Sequence, residues 1–199
     1  MYKAIIFDLG RVLINFDFER GYKALEAHCG CPTAEIRQRL AATRLPQDFE
    51  TGLIEPRDFV ARLGDVLGFS LEYDSFCAIW SSIFTDALVP ESLLESLAAR
   101  YRLVLLSNTN AIHFEMIRKA YPMLRHFHAF VLSYEVKAMK PRPEIFACAI
   151  ERAGCLAREC FYTDDIAEYV AAAREMGIDA VVFQGLPQLL ADLSSRGIL

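Results

Sequence analysis

The chain has 199 residues, a length that allows one domain with a substantial insertion or two small domains. Hydrophobic residues make up 54% and charged residues 24%, which is enough apolar material for a core and excludes wholesale disorder. A formal charge of −5 argues against nucleic acid as the main partner, and no uncharged apolar run approaches the roughly 18 residues needed to span a bilayer.

The N-terminal run 4–7 is a short apolar stretch bounded by a turn and predicts a buried strand. Asp8 follows it directly and interrupts any leader-like apolar core, so the expectation is a cytoplasmic protein without a membrane partner. Residues 16–88 look helical throughout, with helices predicted over 20–28, 34–42, 57–67 and 74–84. Strands are then predicted over 103–106, 129–132, 160–162 and 180–183, alternating with helices over 112–119, 144–153 and 167–176. Pro141 and Pro143 suit an extended approach to the second of these helices, and Gly177 stops the third. Alternating strands and helices predict an α/β fold, a Rossmann-like parallel sheet with helices on both faces. The expected division is a core of residues 1–15 and 89–199 and a small helical-bundle cap of residues 16–88. Such an insertion would sit as a lid over the strand ends.

The six cysteines, at 29, 31, 77, 148, 155 and 160, have neither the density of a disulfide framework nor zinc-site spacing. Cys29 and Cys31 make only a CxC pair. They read as reduced, mostly buried thiols.

Ligands of open α/β sheets gather outside the carboxyl ends of the strands. That rule selects Asp8 after the first strand, Ser107 after the second, Lys140 in the loop after the third, and Asp164 and Asp165 after the fourth. Gly10 lets the backbone near Asp8 approach a ligand closely. Converging carboxylates repel one another unless a cation lies between them, and oxygen donors favour Mg²⁺. With the Lys140 ammonium and the hydrogen-bonding groups of Ser107 and Asn108, the set describes a phosphate-handling site.

Phe7-Asp8-Leu9-Gly10-Arg11-Val12-Leu13 resembles motif I of the haloacid dehalogenase superfamily. Leu105 to Asn110 resembles motif II, Lys140-Pro141-Arg142-Pro143-Glu144-Ile145-Phe146 motif III, and Phe161-Tyr162-Thr163-Asp164-Asp165 motif IV. Each is weak alone, but the four fall in the family's order and span the whole core. Within the superfamily the chain looks most like bacterial sugar-phosphate phosphatases and the phosphatase-like domain of soluble epoxide hydrolases. Phe49-Glu50-Thr51-Gly52-Leu53-Ile54 also resembles a cap segment of that branch.

The resemblance implies a Mg²⁺-dependent phosphatase of a small phosphorylated metabolite, such as a sugar phosphate. It implies that Asp8 attacks phosphorus to form an aspartyl-phosphate and that Ser107 and the Asn108 amide hold phosphate oxygens. Lys140 neutralises the nucleophile and the phosphoryl group. Asp165 binds Mg²⁺ with Asp8 and the Gly10 carbonyl, and Asp164 orients that site directly or through water.

The chain departs from the pattern at Gly10, where most phosphatases of the superfamily carry a second aspartate that protonates the leaving group and activates water. General acid–base help is worth about 10² to 10⁴ in rate. Another group or a water takes over, Asp17 takes over, or turnover is slow. A metal-independent 2-haloacid dehalogenase also lacks that aspartate, but the Asp164–Asp165 pair would bring it only repulsion. A non-catalytic phosphate-binding regulatory module is a third reading.

Other residues carry competing bland readings. Lys137 rivals Lys140, Glu168 is a late acidic position or a surface helix residue, and His113 follows motif II closely enough to touch substrate. Trp80 reads first as cap core, and Arg37, Arg39 and Arg44 as a solvated helix face. The sequence leaves monomer and homodimer equally open.

Overall fold

A computed structural model describes residues 1–199. Strand β1 (Ala4–Phe7) is apolar at every position because both faces of the sheet around it are covered. The side chains of Ile5 and Phe7 enter one apolar layer and those of Ala4 and Ile6 the other. A tight turn, in which Arg11 holds φ 57° and its N–H donates to the Ile14 carbonyl at 2.8 Å, leads to β2 (Ile14–Phe16).

Helices α1 (Phe18–Cys29), α2 (Thr33–Ala41), α3 (Leu45–Glu50), α4 (Pro56–Leu67) and α5 (Tyr73–Trp80) follow. Their apolar faces share a cluster that includes Leu25, Ile36, Phe49, Phe59, Leu63, Phe76 and Trp80, with Ile112 added from the sheet domain. Aromatic stacking organises it: the Phe49 and Phe59 rings are 4.1 Å apart and those of Phe76 and Trp80 5.5 Å.

The expected all-helical stretch 16–88 is wrong at its two ends. The last helix stops at Trp80, a short 3₁₀ turn (Ser81–Ile83) follows, and β3 (Phe84–Ala87) pairs antiparallel with β2. The helical spacing of apolar residues runs on past Trp80, but Phe84 is used in a strand, where its ring packs edge-on to those of Phe16 and His113. Helix α3 lies inside the expected helical stretch but outside the four helices predicted within it. Its six residues are too few to show a period.

The remaining elements are α6 (Glu91–Ala98), β4 (Arg102–Ser107), α7 (Ala111–Ala120), β5 (Ala129–Leu132), the single turn α8 (Ser133–Val136), α9 (Pro143–Ala153), β6 (Cys160–Asp164), α10 (Ala167–Glu175), β7 (Asp179–Val182) and α11 (Leu186–Ser195). The main sheet has the order β5-β4-β1-β6-β7, and every neighbouring pair is parallel. Helices α6, α7 and α11 supply Leu94, Ile117 and Leu189 to one layer, while α9 and α10 supply Phe146 and Val170 to the other. The α/β fold with a parallel sheet covered on both faces is therefore as the sequence predicted. No helix is long and apolar enough to cross a membrane.

Strand order places the chemistry. Because β1 lies between β4 and β6, the residue after it sits between the ends of those two strands. The pairing of Phe7 with Leu105 and Thr163 brings Asp8 level with Leu106, one residue before Ser107, and with Asp164.

Candidate active site

Asp8 and Lys140 are buried, at 6% and 4% exposure, and they face each other. The Lys140 Nζ donates to Asp8 Oδ1 and to Asp164 Oδ2, both at 2.6 Å. It also stands 5.1 Å from the ring centre of Tyr169, on the face that favours a cation. A cation between two buried carboxylates is the arrangement in which desolvation is offset by attraction. Burial pushes the Asp8 carboxyl up to about 7, helped by Asp164 and opposed by Lys140. Burial alone would lower the Lys140 ammonium, but Asp8 and Asp164 outweigh it and hold the group protonated.

Lys140 is aimed by its own backbone. The Asn108 side chain accepts from the Lys140 N–H at 2.8 Å and donates to the Lys140 carbonyl at 3.0 Å. The expectation that the Asn108 amide holds phosphate thus narrows to its main-chain N–H, because the side chain is occupied with the lysine. Ser107 is buried at the end of β4 and lines the cavity beside Gly10 and Asn108. The rival Lys137 donates to the Gly52 carbonyl instead and serves the contact between α8 and the turn after α3.

The acidic pair divides. Asp164 is fully buried; its Oδ2 accepts from Lys140 and from the Tyr162 hydroxyl, and its Oδ1 caps the following turn by accepting from the Ile166 N–H at 2.8 Å. Asp165 is half-buried and lines the open cleft with Asp8, Gly10 and Lys140. Burial, then the neighbouring Asp164, raises the Asp165 carboxyl. Oxygens of Asp8, Asp164 and Asp165 all lie within 4.8 Å of one another. Three carboxylates at such spacing form a hard-oxygen donor set that fits a Mg²⁺ ion.

Several candidates fall outside this cluster. Asp17 is the exposed N-cap of α1 and accepts from the Glu19 N–H at 3.0 Å, so its carboxylate is committed to the helix end. Glu168 is exposed on the first turn of α10. Arg39 pairs with Glu35 and Arg44 with Asp48 on the cap surface. His113 is buried: Asn110 donates to its Nδ1 at 3.0 Å, so the Nε2–H is assigned to the Trp80 carbonyl, also at 3.0 Å. Burial pushes this imidazole down to about 4, and it lines the same cavity as Ser107.

The sequence reasoning missed Tyr162, Tyr169 and Glu50. Tyr162 reads as strand filler, yet its hydroxyl is spent on Asp164. Glu50, the last residue of α3, lines both the cleft beside Asp8 and Lys140 and the space beneath α1 and α2. The motif-like stretch 49–54 was the one signal that pointed near it.

The pattern of haloacid dehalogenase-like hydrolases matches residues 2–177. The chain belongs to that family. A D-ribitol-5-phosphate phosphatase of Bacteroides thetaiotaomicron is 27% identical over 187 residues, covering 90% of each chain. A haloacid dehalogenase family enzyme of the same organism, solved with magnesium and inorganic phosphate, superposes with a TM-score of 0.81 at 31% identity over 93% of this chain and 96% of that one. A haloacid dehalogenase-like hydrolase of Porphyromonas gingivalis gives a TM-score of 0.84 at 25% identity, covering 97% and 98%.

Proposed function

We propose that this haloacid dehalogenase-like hydrolase is a Mg²⁺-dependent phosphatase that hydrolyses a small phosphorylated metabolite of the sugar or polyol phosphate class. One observation carries the reading: a buried aspartate at the central strand end, held 2.6 Å from a buried lysine, with two more carboxylates in reach of the same ion. The phosphate-bound relative of the same fold and the ribitol phosphate phosphatase support the substrate class.

Asp8 attacks phosphorus as the leaving-group P–O bond breaks, and water then attacks the aspartyl-phosphate and returns the free carboxylate. Lys140 holds the attacking oxygen in place and faces the equatorial oxygens, where charge accumulates. The Ser107 hydroxyl and the Asn108 N–H take further phosphate oxygens. Asp8, Asp165 and the Gly10 carbonyl would hold the metal, with Asp164 as the buried support behind them. Bound there, Mg²⁺ would supply charge neutralisation among the carboxylates and the phosphoryl group. We place the enzyme in the cytoplasm, as a monomer or homodimer; its six unpaired thiols support a reducing compartment.

The test is phosphate release from a panel with Mg²⁺: a sugar 1-phosphate, a polyol phosphate, a nucleotide monophosphate and an aryl phosphate. Asp8→Asn should lower kcat by roughly 10⁴-fold or more on every good substrate, as loss of a covalent nucleophile does. Chelation should abolish turnover. Wild-type rates in Asp8→Asn would remove Asp8 as nucleophile. Chloride release from a 2-chloro acid without metal would favour the dehalogenase reading, and phosphate-analogue binding without turnover the regulatory one.

A further inference from the structure

Position 10 lacks the acid–base carboxylate that most family phosphatases carry, and the Phe16 ring crowds the place where its side chain would start. A Cβ built on Gly10 would lie 2.6 Å from Cε1 of the Phe16 ring, which stands on β2 and closes that side of the cleft. The proton carrier is therefore sought on another wall of the cleft. Asp17 is committed to the end of α1 and exposed, and His113 has both ring nitrogens occupied.

Resting on the phosphatase reading, we infer that Glu50 of the cap is the general acid and base of the reaction. Three observations carry this. Glu50 lines the cleft that holds Asp8, Gly10 and Lys140, the adjoining cavity at Ser107 and Asn108, and the cavity under the cap, so it is shared by all three spaces. Its carboxyl takes no part in an ion pair, whereas Asp8 and Asp164 do.

Its backbone is also fastened to the core and not only to the cap. The Ser133 hydroxyl donates to the Glu50 carbonyl at 2.6 Å and accepts from the Thr109 N–H, two residues past Ser107, at 2.9 Å. Gly52 completes the tie. Its φ is +67°, a Cβ there would meet the Tyr134 carbonyl at 2.0 Å, and its own carbonyl accepts from Lys137. The turn after α3 thus lies against α8 closely enough that only glycine fits.

The surroundings suit a proton carrier. Tyr22 of α1 and Arg37 of α2 line the cap side of this space with His113 of α7, and Arg11, Lys140 and Asp165 line the core side. Arg37 is paired with Glu19, and Lys140 with Asp8 and Asp164. Burial therefore governs Glu50 and pushes it up to about 7, where a carboxyl can give and take a proton near neutrality. In the first step Glu50 Oε–H gives its proton to the departing alkoxide oxygen while Asp8 bonds to phosphorus. In the second the Glu50 carboxylate takes a proton from water as that oxygen attacks phosphorus and the Asp8–O–P bond breaks. The enzyme returns to its starting protonation, with alcohol and inorganic phosphate released.

The experiment compares wild type, Glu50→Gln and Glu50→Asp on a polyol phosphate and on an aryl phosphate whose phenol leaves without protonation, with urea unfolding alongside. Glu50→Gln should lose about 10² to 10⁴ in kcat on the polyol phosphate. On the aryl phosphate it should give a burst of about one equivalent of phenol followed by slow turnover, because only the second step then needs the base. Glu50→Asp should recover part of the rate. A raised KM with kcat within about threefold would make Glu50 a substrate-hydroxyl contact and overturn the inference, as would equal losses on both substrates without a burst. A wild type inactive on every phosphate ester would instead overturn the phosphatase reading beneath it.

Discussion

The strand-end site and the cap face opposite it handle buried ionisable groups in contrary ways. At the strand ends, Lys140 sits 2.6 Å from each of two carboxylates; it stays protonated and opposes the upward shift that burial gives Asp8, which still reaches about 7. Under the cap, Glu50 and His113 are pressed toward their neutral forms by burial, one carboxyl raised to about 7 and one imidazole lowered to about 4. A built-in partner works against the shift that burial imposes; where none is present, burial acts unopposed. The paired region suits holding a dianion and a metal, and the unpaired region suits moving a proton.

The sharpest way to break this contrast is to remove the partner. Lys140→Met leaves Asp8 and Asp164 buried without a cation. Metal-free protein at pH 8 should lose about 3–5 kcal/mol of unfolding free energy, the usual cost of orphaning a buried charge. Adding Mg²⁺ should restore part of that loss, because an ion that binds only the folded state stabilises it. Urea unfolding with and without Mg²⁺ reads both effects. A variant as stable as wild type would mean that the carboxylates do not depend on Lys140 for compensation.

On the cap side the contrast appears as opposite pH slopes. His113 binds its proton less readily when folded than the usual value of 6.5 allows, so its contribution is full above 6.5 and is lost as pH falls toward 4. Glu50 binds its proton more readily when folded, so its contribution is full below about 4.5 and is lost as pH rises through 7. The two slopes oppose each other between about 4.5 and 6.5, and single variants should expose them. Relative to wild type, His113→Gln should gain stability as pH drops from 6.5 to 4, by up to about 3 kcal/mol. Glu50→Gln should gain relative stability as pH rises from 4.5 to 7. Difference curves from urea titrations at several pH values check each sign; a flat curve would show that the group titrates alike folded and unfolded.

The same contrast explains what could be read in the sequence. The core strands are continuous apolar runs because both sheet faces are covered, so Ala4–Phe7 announces itself and the residue after it is marked by position. The strand-end rule then finds Asp8, Ser107, Asp164 and Asp165 together. The β2–β3 ribbon stayed hidden because its strands have three and four residues and Thr85 and Asp86 break any apolar signal. Asn108 was legible as a donor but not as the clamp on the Lys140 backbone, which only the loop geometry makes. Glu50 was illegible as chemistry. An acidic residue ending a six-residue helix looks like a solvated turn until tertiary packing half-buries it against the cleft.

The smallest expected effect tests whether the two regions are joined by design of the backbone or only by proximity. Ser133 is fully buried and links Thr109, beyond the phosphate-side strand end, to the carbonyl of Glu50. Ser133→Ala leaves the Thr109 N–H and the Glu50 carbonyl short of a partner, at a cost of about 1–3 kcal/mol in stability. If that hydroxyl positions Glu50, kcat on a polyol phosphate should fall severalfold more than the rate of the first step on an aryl phosphate, because only the former needs the proton. If both fall together, the link steadies the phosphate site alone and the turn after α3 is held by Gly52 and Lys137. The ratio of the two rates separates these cases even though the stability loss is the same in both.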